Sequence, residues 1–424
     1  MNIIKKMAKE TGMLVIMLAT VLGLAGAARA NEITEVDGPV PWVSHIRGDN
    51  SLLVKQADTD WFEATVNTPI GEGDMVWQDG KGRSEIYIDK GTYVRLDRNS
   101  GVEFAKLEPG KAHMVLTKGT AIFRNNSDLD YQVYLPGQTA IIERGAKSRI
   151  RVDGDGISEV KAQRGRVYVD GAQGRVRVDR GHKLVGGPDG NIVRLAKGSG
   201  DDDFDAWADG RDRALASAPG THITVVNHMP EPVAVELGRS GVWINDPEYG
   251  YVWRPTVAAS WAPYREGRWS YRPGWGWTWV SYEPWGWYPY HYGRWVHLNT
   301  GWVWTPVKVR TRWAPALVFW IDGPDYVAWQ PLPYGVTLAM TWRWGPSHMH
   351  RYVDHRCITT VRHVDFHRGH YHRYVHHLPS NYHDHYRVVR RPAGSHSRPI
   401  NHAHYRTPTT RGYVTHNRAP REGT

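Results

Sequence analysis

Residues Gly267–Trp295 read GRWSYRPGWGWTWVSYEPWGWYPYHYGRW, a stretch with seven Trp and five Tyr but no Leu, Ile or Phe. The flanking sequence has the same character, because Trp243 to Trp344 contain 17 Trp, 10 Tyr and one Phe. Aromatic side chains bury large areas, so a few rings can replace many aliphatic residues in a core. The stretch therefore raises the question whether its rings form a binding surface or the core of an unusual β domain.

The aromatic stretch contains an internal repeat of about 26 residues. The segment Trp261–Trp269 aligns with Trp287–Trp295, and Gly250–Pro255 aligns with Gly301–Pro306. Rings that recur at a fixed place in each repeat indicate a structural role, because small β units bury one face by stacking on their neighbours. The pattern predicts an antiparallel β repeat domain, rich in Trp and Tyr, over residues 241–346.

Some of these rings are also candidate ligand contacts. The alternation of Trp275, Trp277 and Trp279 predicts three indoles on one face of a strand. Exposed rings can stack on the C–H faces of a glycan or anchor a protein partner, and the residues leave both alternatives open. The candidate binding residues are Trp275, Trp277, Trp279, Trp285, Tyr290 and Trp304.

A second β pattern precedes the aromatic domain, over residues 40–198. Ser84–Asp89 and Tyr93–Asp97 alternate with period two around Lys90-Gly91, which predicts a hairpin. Gly165–Gly171 and Gly174–Arg180 repeat the pattern, with their valines facing one side. Short strands at such spacing, without a long helical pattern among them, predict an all-β domain of stacked strands.

This first domain resembles the FecR domain. The resemblance is carried, in order, by Thr68-Pro69-Ile70, Gly73-Asp74, Gly82-Arg83-Ser84-Glu85, Gly91-Thr92 and Arg95-Leu96. It implies the extracytoplasmic module of membrane regulators that sense a loaded transporter and control a sigma factor. Because a cleavable signal rather than a cytoplasmic segment precedes the domain here, we expect only the extracytoplasmic module to be shared.

A connecting helix is predicted over residues 201–219. Three Asp at its start suit a helix N-terminus, and Pro219-Gly220 ends it. Phe204, Ala208 and Leu215 fall near one face. The acidic cluster is therefore interpreted as a helix cap rather than a cation site.

The aromatic domain resembles a tryptophan-rich domain of unknown function that often follows FecR domains in exported bacterial proteins. The matching elements include Gly241-Val-Trp243, Gly293-Arg-Trp295, Gly301-Trp-Val-Trp304 and Val327-Ala-Trp329. The resemblance implies an architecture and a cell-envelope setting, but no activity.

Residues 1–30 have the composition of a secretory signal peptide. Lys5, Lys6 and Lys9 precede the apolar run Met13–Ala25, and Ala28-Arg29-Ala30 fits a cleavage site. We expect a periplasmic or secreted protein with no transmembrane segment after cleavage. The single cysteine, Cys357, cannot form an intrachain disulfide and is interpreted as a buried thiol or an intermolecular link.

The C-terminal residues are strongly basic. From Ser347 to Thr424 there are 13 Arg, no Lys and four acidic residues, a formal charge of +9, together with 15 of the 22 His. We expect a partly ordered His-rich segment over residues 347–377 and a disordered Arg/His-rich tail over 378–424, which would bind an anionic polymer. Paired His could chelate Zn²⁺, Cu²⁺ or Ni²⁺. The candidate ligands are His370, His372, His376, His377, His383, His385, His402 and His404.

No catalytic motif of the serine hydrolase, zinc protease or P-loop type occurs. The sequence therefore predicts a non-catalytic, exported envelope protein without a cofactor. We expect it to be a binding or scaffold module linked to envelope sensing. Its expected partner is an envelope glycan or protein and not nucleic acid. One alternative is a glycan-acting enzyme, with Glu248, Glu266 and Glu283 as candidate carboxylates. Another is a His-rich metal-binding protein. The oligomeric state is left open.

Overall fold

The protein is mainly β, as its sequence predicts. A computed structural model describes residues 40–48, 51–56, 59–198, 200–217, 229–272, 274–306, 312–341, 351–377 and 386–389. The predicted signal peptide lies outside these residues. The strands of the first domain are β1 (Trp42–Arg47), β2 (Leu52–Lys55), β3 (Phe62–Glu63), β4 (Met75–Gln78), β5 (Arg83–Asp89), β6 (Thr92–Leu96), β7 (Ser100–Glu108), β8 (Lys111–Arg124), β9 (Asp130–Leu135), β10 (Gln138–Ile142), β11 (Lys147–Val152), β12 (Ser158–Arg164), β13 (Arg166–Gly171), β14 (Gly174–Asp179), β15 (His182–Gly186) and β16 (Ile192–Lys197).

The sixteen strands of the first domain form two layers that share the long strand β8. The first half of β8 pairs with β7 and β9, whereas its second half pairs with β6 and β11. The strand changes layers at Gly119. Its φ is +91°, a value that glycine adopts readily and other residues rarely adopt. Aliphatic side chains from both layers, such as Val94 and Val133, meet in one buried core.

The predicted hairpin of the first domain is confirmed, and the two repeated strand patterns at 165–171 and 174–180 also pair as a hairpin. Ile86 of β5 pairs with Val94 of β6, and Val167 of β13 pairs with Val178 of β14. Strand β5 does not show the expected alternation of buried and exposed residues, because nearly all of it is buried. The outer face of this strand is covered by a helix.

The covering helix is α1 (Asp203–Ala216), which confirms the predicted connecting helix. Asp202 caps it and forms a capping box with Asp205. Phe204 and Ala208 pack on Ile122, on the outer face of the sheet. The acidic side chains of the helix also pair with cations on that face, for example Arg149 with Asp202 and Asp205 at 2.6 Å each.

The second domain begins with a helix that was not predicted from the sequence. Its elements up to residue 341 are α2 (Glu231–Ser240), β17 (Gly241–Asp246), β18 (Gly250–Pro255), β19 (Gly267–Arg272), β20 (Gly276–Ser281), α3 (Trp287–His291), β21 (Arg294–Leu298), β22 (Gly301–Thr305), β23 (Val318–Asp322), β24 (Tyr326–Pro331) and α4 (Leu338–Thr341). The strands form four antiparallel hairpins, β17–β18, β19–β20, β21–β22 and β23–β24.

Each hairpin carries one directly opposed pair of tryptophans. The cross-strand pairs are Trp243–Trp253, Trp269–Trp279, Trp295–Trp304 and Trp320–Trp329. Successive pairs are separated by the repeat length found in the sequence, and the fourth pair is a copy that the sequence comparison missed. Most of these indoles lie in a single buried aromatic cluster. Tryptophan pairs therefore form the core of this domain in place of aliphatic residues.

The described residues after 350 pack against the second domain. They contain β25 (Thr359–Arg362), two 3₁₀ turns at His363–Asp365 and Tyr371–Arg373, and β26 (Arg387–Val389). Strand β26 pairs with β23 through Val388 and Ile321. This corrects the prediction of disorder throughout 378–424, because the Val-Val pair at 388–389 contributes to a sheet formed by other parts of the chain.

Candidate functional site

Five of the six candidate binding rings are buried in the aromatic cluster. Trp279, Tyr290 and Trp304 have no exposed surface, and Trp277 and Trp285 are nearly covered. Trp304 donates its indole N–H to the carbonyl oxygen of Tyr292 at 2.8 Å. Their burial removes these five rings from any surface on which a sugar could stack in this structure.

Trp275 is the only candidate ring of the six that is partly exposed. It precedes β20 instead of belonging to it, so it does not share a face with Trp277 and Trp279, as the sequence alternation predicted. The positive φ of Gly276, +83°, breaks the alternation at this point. The ring of Trp275 lies 5.0 Å from that of Trp313, and the guanidinium of Arg272 lies 4.7 Å above it.

Arg272 belongs to a contact region between the two domains that we call the domain seam. Arg272 pairs with the buried Asp74 of the first domain, which also accepts a hydrogen bond from the backbone N–H of Gly71 at 2.8 Å. Burial raises the pKa of Asp74, although Arg272 opposes this shift. Asn67 donates its side-chain amide to the backbone oxygens of Ser281 and Glu283, at 3.2 and 2.7 Å.

The seam also contains aromatic stacking. Trp42 of β1 lies parallel to Trp287 of α3, with ring centroids 4.8 Å apart and 10° between their planes. Tyr87 of β5 donates its hydroxyl to Glu231 of α2 at 2.5 Å. Trp42 and Tyr87 both belong to the aromatic cluster of the second domain. The aromatic core thus extends into the first domain, and the two domains share part of their interior.

Glu283 is the most perturbed acidic group of the second domain. Its carboxylate accepts hydrogen bonds from the indole N–H of Trp261 at 2.7 Å and from the hydroxyl groups of Tyr290 and Ser281. Burial raises the pKa of Glu283 to about 7, despite these three donors, and the nearby Glu266 adds to the shift. The carboxylate is therefore held among aromatic groups and can change its charge near neutral pH.

The most exposed tyrosines of the described second domain lie at one end of it. Tyr334 and Tyr251 are 59% and 49% exposed, and Tyr334 forms an edge-to-face pair with Tyr249 at 5.0 Å. We call Tyr249, Tyr251 and Tyr334 the tyrosine rim. The side chain of Asp246 accepts the backbone N–H of Tyr249 at 3.0 Å, which orders the turn that carries the ring. This end of the domain offers aromatic faces to solvent.

The tyrosine rim was not among the binding residues predicted from the sequence. Asp246-Pro-Glu248-Tyr249-Gly250 is a turn sequence flanked by strands, and such turns place side chains at the surface. The binding prediction was based instead on the dense tryptophans of the repeat, most of which are buried. The exposed position of a ring depends on which hairpin face meets the core, and this follows from the packing of the four hairpins together.

The predicted metal ligands are only partly within the described residues. His383, His385, His402 and His404 lie outside them. The ring of His370 lies 4.3 Å from that of Tyr282, and its Nδ1 lies 3.7 Å from Glu266; the ring of His376 lies 5.4 Å from that of Tyr326. His372 is in the second 3₁₀ turn, and His377 is exposed. In the described part of the chain no three His, Cys, Asp or Glu side chains are arranged to hold a metal ion.

Cys357 is a buried thiol. Its sulfur lies 3.7 Å from the backbone oxygen of Asp354, and burial raises the pKa of Cys357 far above its usual range. A thiol with a raised pKa is a poor nucleophile at neutral pH. The position therefore agrees with the packing alternative of the two that the sequence left open.

Comparison with known proteins finds a domain family to which part of this chain is similar. Residues 234–336 match a family described as "Family of unknown function (DUF6600)". The match spans most of α2, all four hairpins and the tyrosine rim. The aromatic domain is therefore similar to a recognised family, while the rest of the chain lies outside the match. A search of curated proteins gives no match.

Two solved structures show a weak similarity to this chain. Both are described as a "putative anti-sigma factor from Parabacteroides distasonis ATCC 8503". The first is 17% identical with a TM-score of 0.27, covering 34% of this chain and 65% of that one. The second is 13% identical with a TM-score of 0.28, covering 43% and 99%. Scores this low establish neither a shared fold nor a shared role, and the FecR resemblance of residues 40–198 stays a prediction.

None of the helices in the described ranges has the length and apolar character needed to cross a bilayer.

Proposed function

We propose that this chain is a non-catalytic scaffold of the cell envelope whose aromatic domain binds a glycan through the tyrosine rim. The observation that carries the proposal is the Tyr249–Tyr334 pair, with ring centroids 5.0 Å apart, in which Tyr334 is 59% exposed and the half-buried Tyr249 lies on a turn ordered by Asp246. The Trp-rich hairpins then act as a rigid support that keeps these rings in place.

A glycan fits the rim because its chemistry is mixed. Sugar rings have C–H faces that stack on tyrosine, and hydroxyl groups that donate to carboxylates. Glu248 lies beside Tyr249 and is hydrogen-bonded to its hydroxyl, which raises the pKa of Tyr249. Asp246 is on the same turn. Aromatic faces with a few oriented polar groups are typical of carbohydrate-sized ligand sites.

The envelope location rests on the sequence. Residues 1–30 have the pattern of a secretory signal, and the FecR resemblance implies an extracytoplasmic module. A FecR-like domain joined to a glycan-binding domain through a shared core would link glycan contact to envelope sensing. Fractionation of cells should recover the protein outside the cytoplasm, without residues 1–30; recovery of the uncleaved chain in the cytoplasm would refute the location.

Pull-down of the full chain on peptidoglycan and on neutral polysaccharides tests the rim. The Tyr249→Ala/Tyr334→Ala variant should lose binding by about tenfold or more, since each stacked ring contributes of the order of 1 kcal/mol. Tyr352→Ala is the matched control, because it removes another exposed tyrosine that does not belong to the rim. Equal binding by the double variant and the wild type would refute the proposal.

A glycan-acting enzyme is the second candidate, and Glu283 is the residue that favours it. A carboxyl group with a pKa near 7 is suited to general acid catalysis. Against this role, Trp261, Ser281 and Tyr290 already occupy its oxygens. New reducing ends released from oligosaccharides by the wild type, and not by Glu283→Gln, would support the enzyme; their absence would leave Glu283 as a structural group.

A further inference from the structure

The His-rich residues 359–377 are anchored to the aromatic core. Phe366 contacts Trp277 at 5.0 Å, and Tyr371 contacts Trp329 at 4.8 Å. The backbone N–H groups of His370 and Tyr371 donate to the carbonyl oxygens of Gly267 and Arg265. The backbone of this segment is therefore held against the second domain.

Two arginines of this segment share one buried carboxylate. Asp365 has no exposed surface, and its two oxygens lie 3.0 Å from Nε of Arg362 and 3.1 Å from Nε of Arg368. Each arginine side chain is 55% exposed. Within the part of the chain that the structure describes, neither guanidinium pairs with a second carboxylate. The three groups carry a formal charge of +1 that is open to solvent.

This arrangement is suited to binding an oxyanion. Each guanidinium has five N–H donors in a fixed plane. Arg362 donates its Nε–H to Asp365, and Nε of Arg368 forms an ion pair with the other oxygen. The remaining donors match the geometry of phosphate or carboxylate, which arginine binds in a bidentate manner. Arg368 is further restrained because its guanidinium lies 5.4 Å from the ring of Tyr374.

The surroundings of the pair are mostly basic. His363 and His367 flank Asp365 in the chain, and Arg373 is exposed nearby in sequence. The acidic neighbours are Asp322, which lies 3.5 Å from His363, and Asp325, whose backbone oxygen accepts the N–H of His363. An incoming anion therefore meets a net positive environment at Arg362 and Arg368.

We propose that Arg362 and Arg368, positioned by the buried Asp365, form a binding site for a phosphate or carboxylate group carried on an acidic polysaccharide. The site is separate from the tyrosine rim and does not depend on it. Asp365 is the positioning residue, and the two arginines contact the anion.

Binding of the full chain to immobilised polygalacturonate, which offers carboxylates, and to a phosphate-bearing polysaccharide tests this site at about physiological salt. Arg362→Gln and Arg368→Gln should each weaken binding to the preferred polymer by about tenfold, the effect of losing one charged hydrogen-bonding group. Arg356→Gln is the matched control. Arg356 lies three residues before the segment and is 60% exposed, but it forms a neutral pair with Asp354, so its loss should change binding by less than about twofold. Residues 378–424 have the same sequence in every variant.

Asp365→Asn separates positioning from simple charge attraction. If overall charge decided binding, this variant would bind more tightly, because it removes a negative charge. The positioning role predicts weaker binding together with a melting curve that still shows a folded domain. The proposal would be overturned if Asp365→Asn bound more tightly, or if the Arg356 and Arg362 variants lost binding equally. It would also be overturned if the protein bound neither polysaccharide, or bound duplex DNA more strongly than both.

Discussion

Glu283 combines a raised pKa with a position at the domain seam. Its backbone oxygen accepts the side chain of Asn67 from the first domain, and its carboxylate accepts Trp261 and Tyr290 of the second. Removing the carboxylate from water penalises the charged form, and burial is the largest cause of the shift. The charge of this one group therefore affects the stability of the region where the domains meet.

The sign of the pH dependence follows from the pKa values. The folded protein holds the proton of Glu283 up to about pH 7, whereas the unfolded chain releases it near pH 4.5. The folded state therefore binds more protons between these values, and stability falls as the pH rises from about 4.5 to 7. The wild type should lose up to about 3 kcal/mol of unfolding free energy over this range through Glu283 alone.

The measurement compares denaturant unfolding of the wild type and Glu283→Gln from pH 5 to pH 8. The difference between the two curves isolates Glu283, because groups such as His45 and His291, whose pKa values burial lowers to about 4, titrate in both proteins. Parallel curves would show that Glu283 does not titrate in this range.

At the level of residues, composition predicted the kind of core but not which rings would be exposed. The sequence alone indicated that the recurring tryptophans have a structural role, and Trp279 and Trp304 are indeed buried. It could not identify Tyr249 or Tyr334, since both lie in turns whose exposure depends on distant parts of the chain. Arg362 and Arg368 were similarly hidden among many basic residues.

Three of the four hairpins of the aromatic domain need a glycine at one position, whereas the fourth has Val318 there. Gly241, Gly267 and Gly293 each stand two residues before the first Trp of a pair. A Cβ on Gly267 would lie 2.5 Å from the ring of Trp279 and 2.6 Å from the carbonyl oxygen of Val280. The other two glycines face the same two groups of their own hairpins. The glycine in the G-x-W motif therefore makes room for the indole of the opposite strand.

Gly267→Ala should destabilise the protein by about 1–3 kcal/mol, the usual cost of overpacking a well-filled core. The crowding involves backbone as well as side-chain atoms, so the site cannot adjust by a rotamer change alone. Gly154→Ala is the control, because a Cβ there meets nothing within 4 Å. Thermal or denaturant unfolding measures both; equal stability of the two variants would contradict the steric role of the motif.

At the level of elements, local patterns predicted the hairpins and α1 well. Period-two alternation identified β5 and β6, and the acidic start of α1 identified its cap. Helix α2 was missed although Pro230-Glu231-Pro232 is a helix-start signal, because its ten residues lie beside the dominant aromatic pattern. The pairing of β26 with β23 joins segments far apart in the sequence, and no local pattern encodes it.

The whole molecule is held together at the seam by a buried ion pair. Asp74 and Arg272 are both nearly inaccessible to solvent. Removing water from two charges is costly, and their attraction offsets this cost only while both are present. The stacked Trp42–Trp287 pair lies in the same contact region. We therefore expect the two domains to unfold together, because exposing one of them uncovers part of the other's core.

Arg272→Met should destabilise the protein by about 3–5 kcal/mol, because it leaves Asp74 buried without its partner. The Asp74→Asn/Arg272→Met variant should recover much of this loss, since no charge then remains buried. Arg175→Met is the control: Arg175 forms a bidentate pair with Asp170, but both side chains are well exposed, so its loss should cost less than about 1 kcal/mol. Calorimetry should give one transition for the wild type and two for Arg272→Met, as the domains separate before the first domain melts. A single transition of unchanged midpoint in Arg272→Met would show that the seam does not couple the domains. Equal losses of stability in the single and double variants would show that the buried charge of Asp74 does not cause the destabilisation.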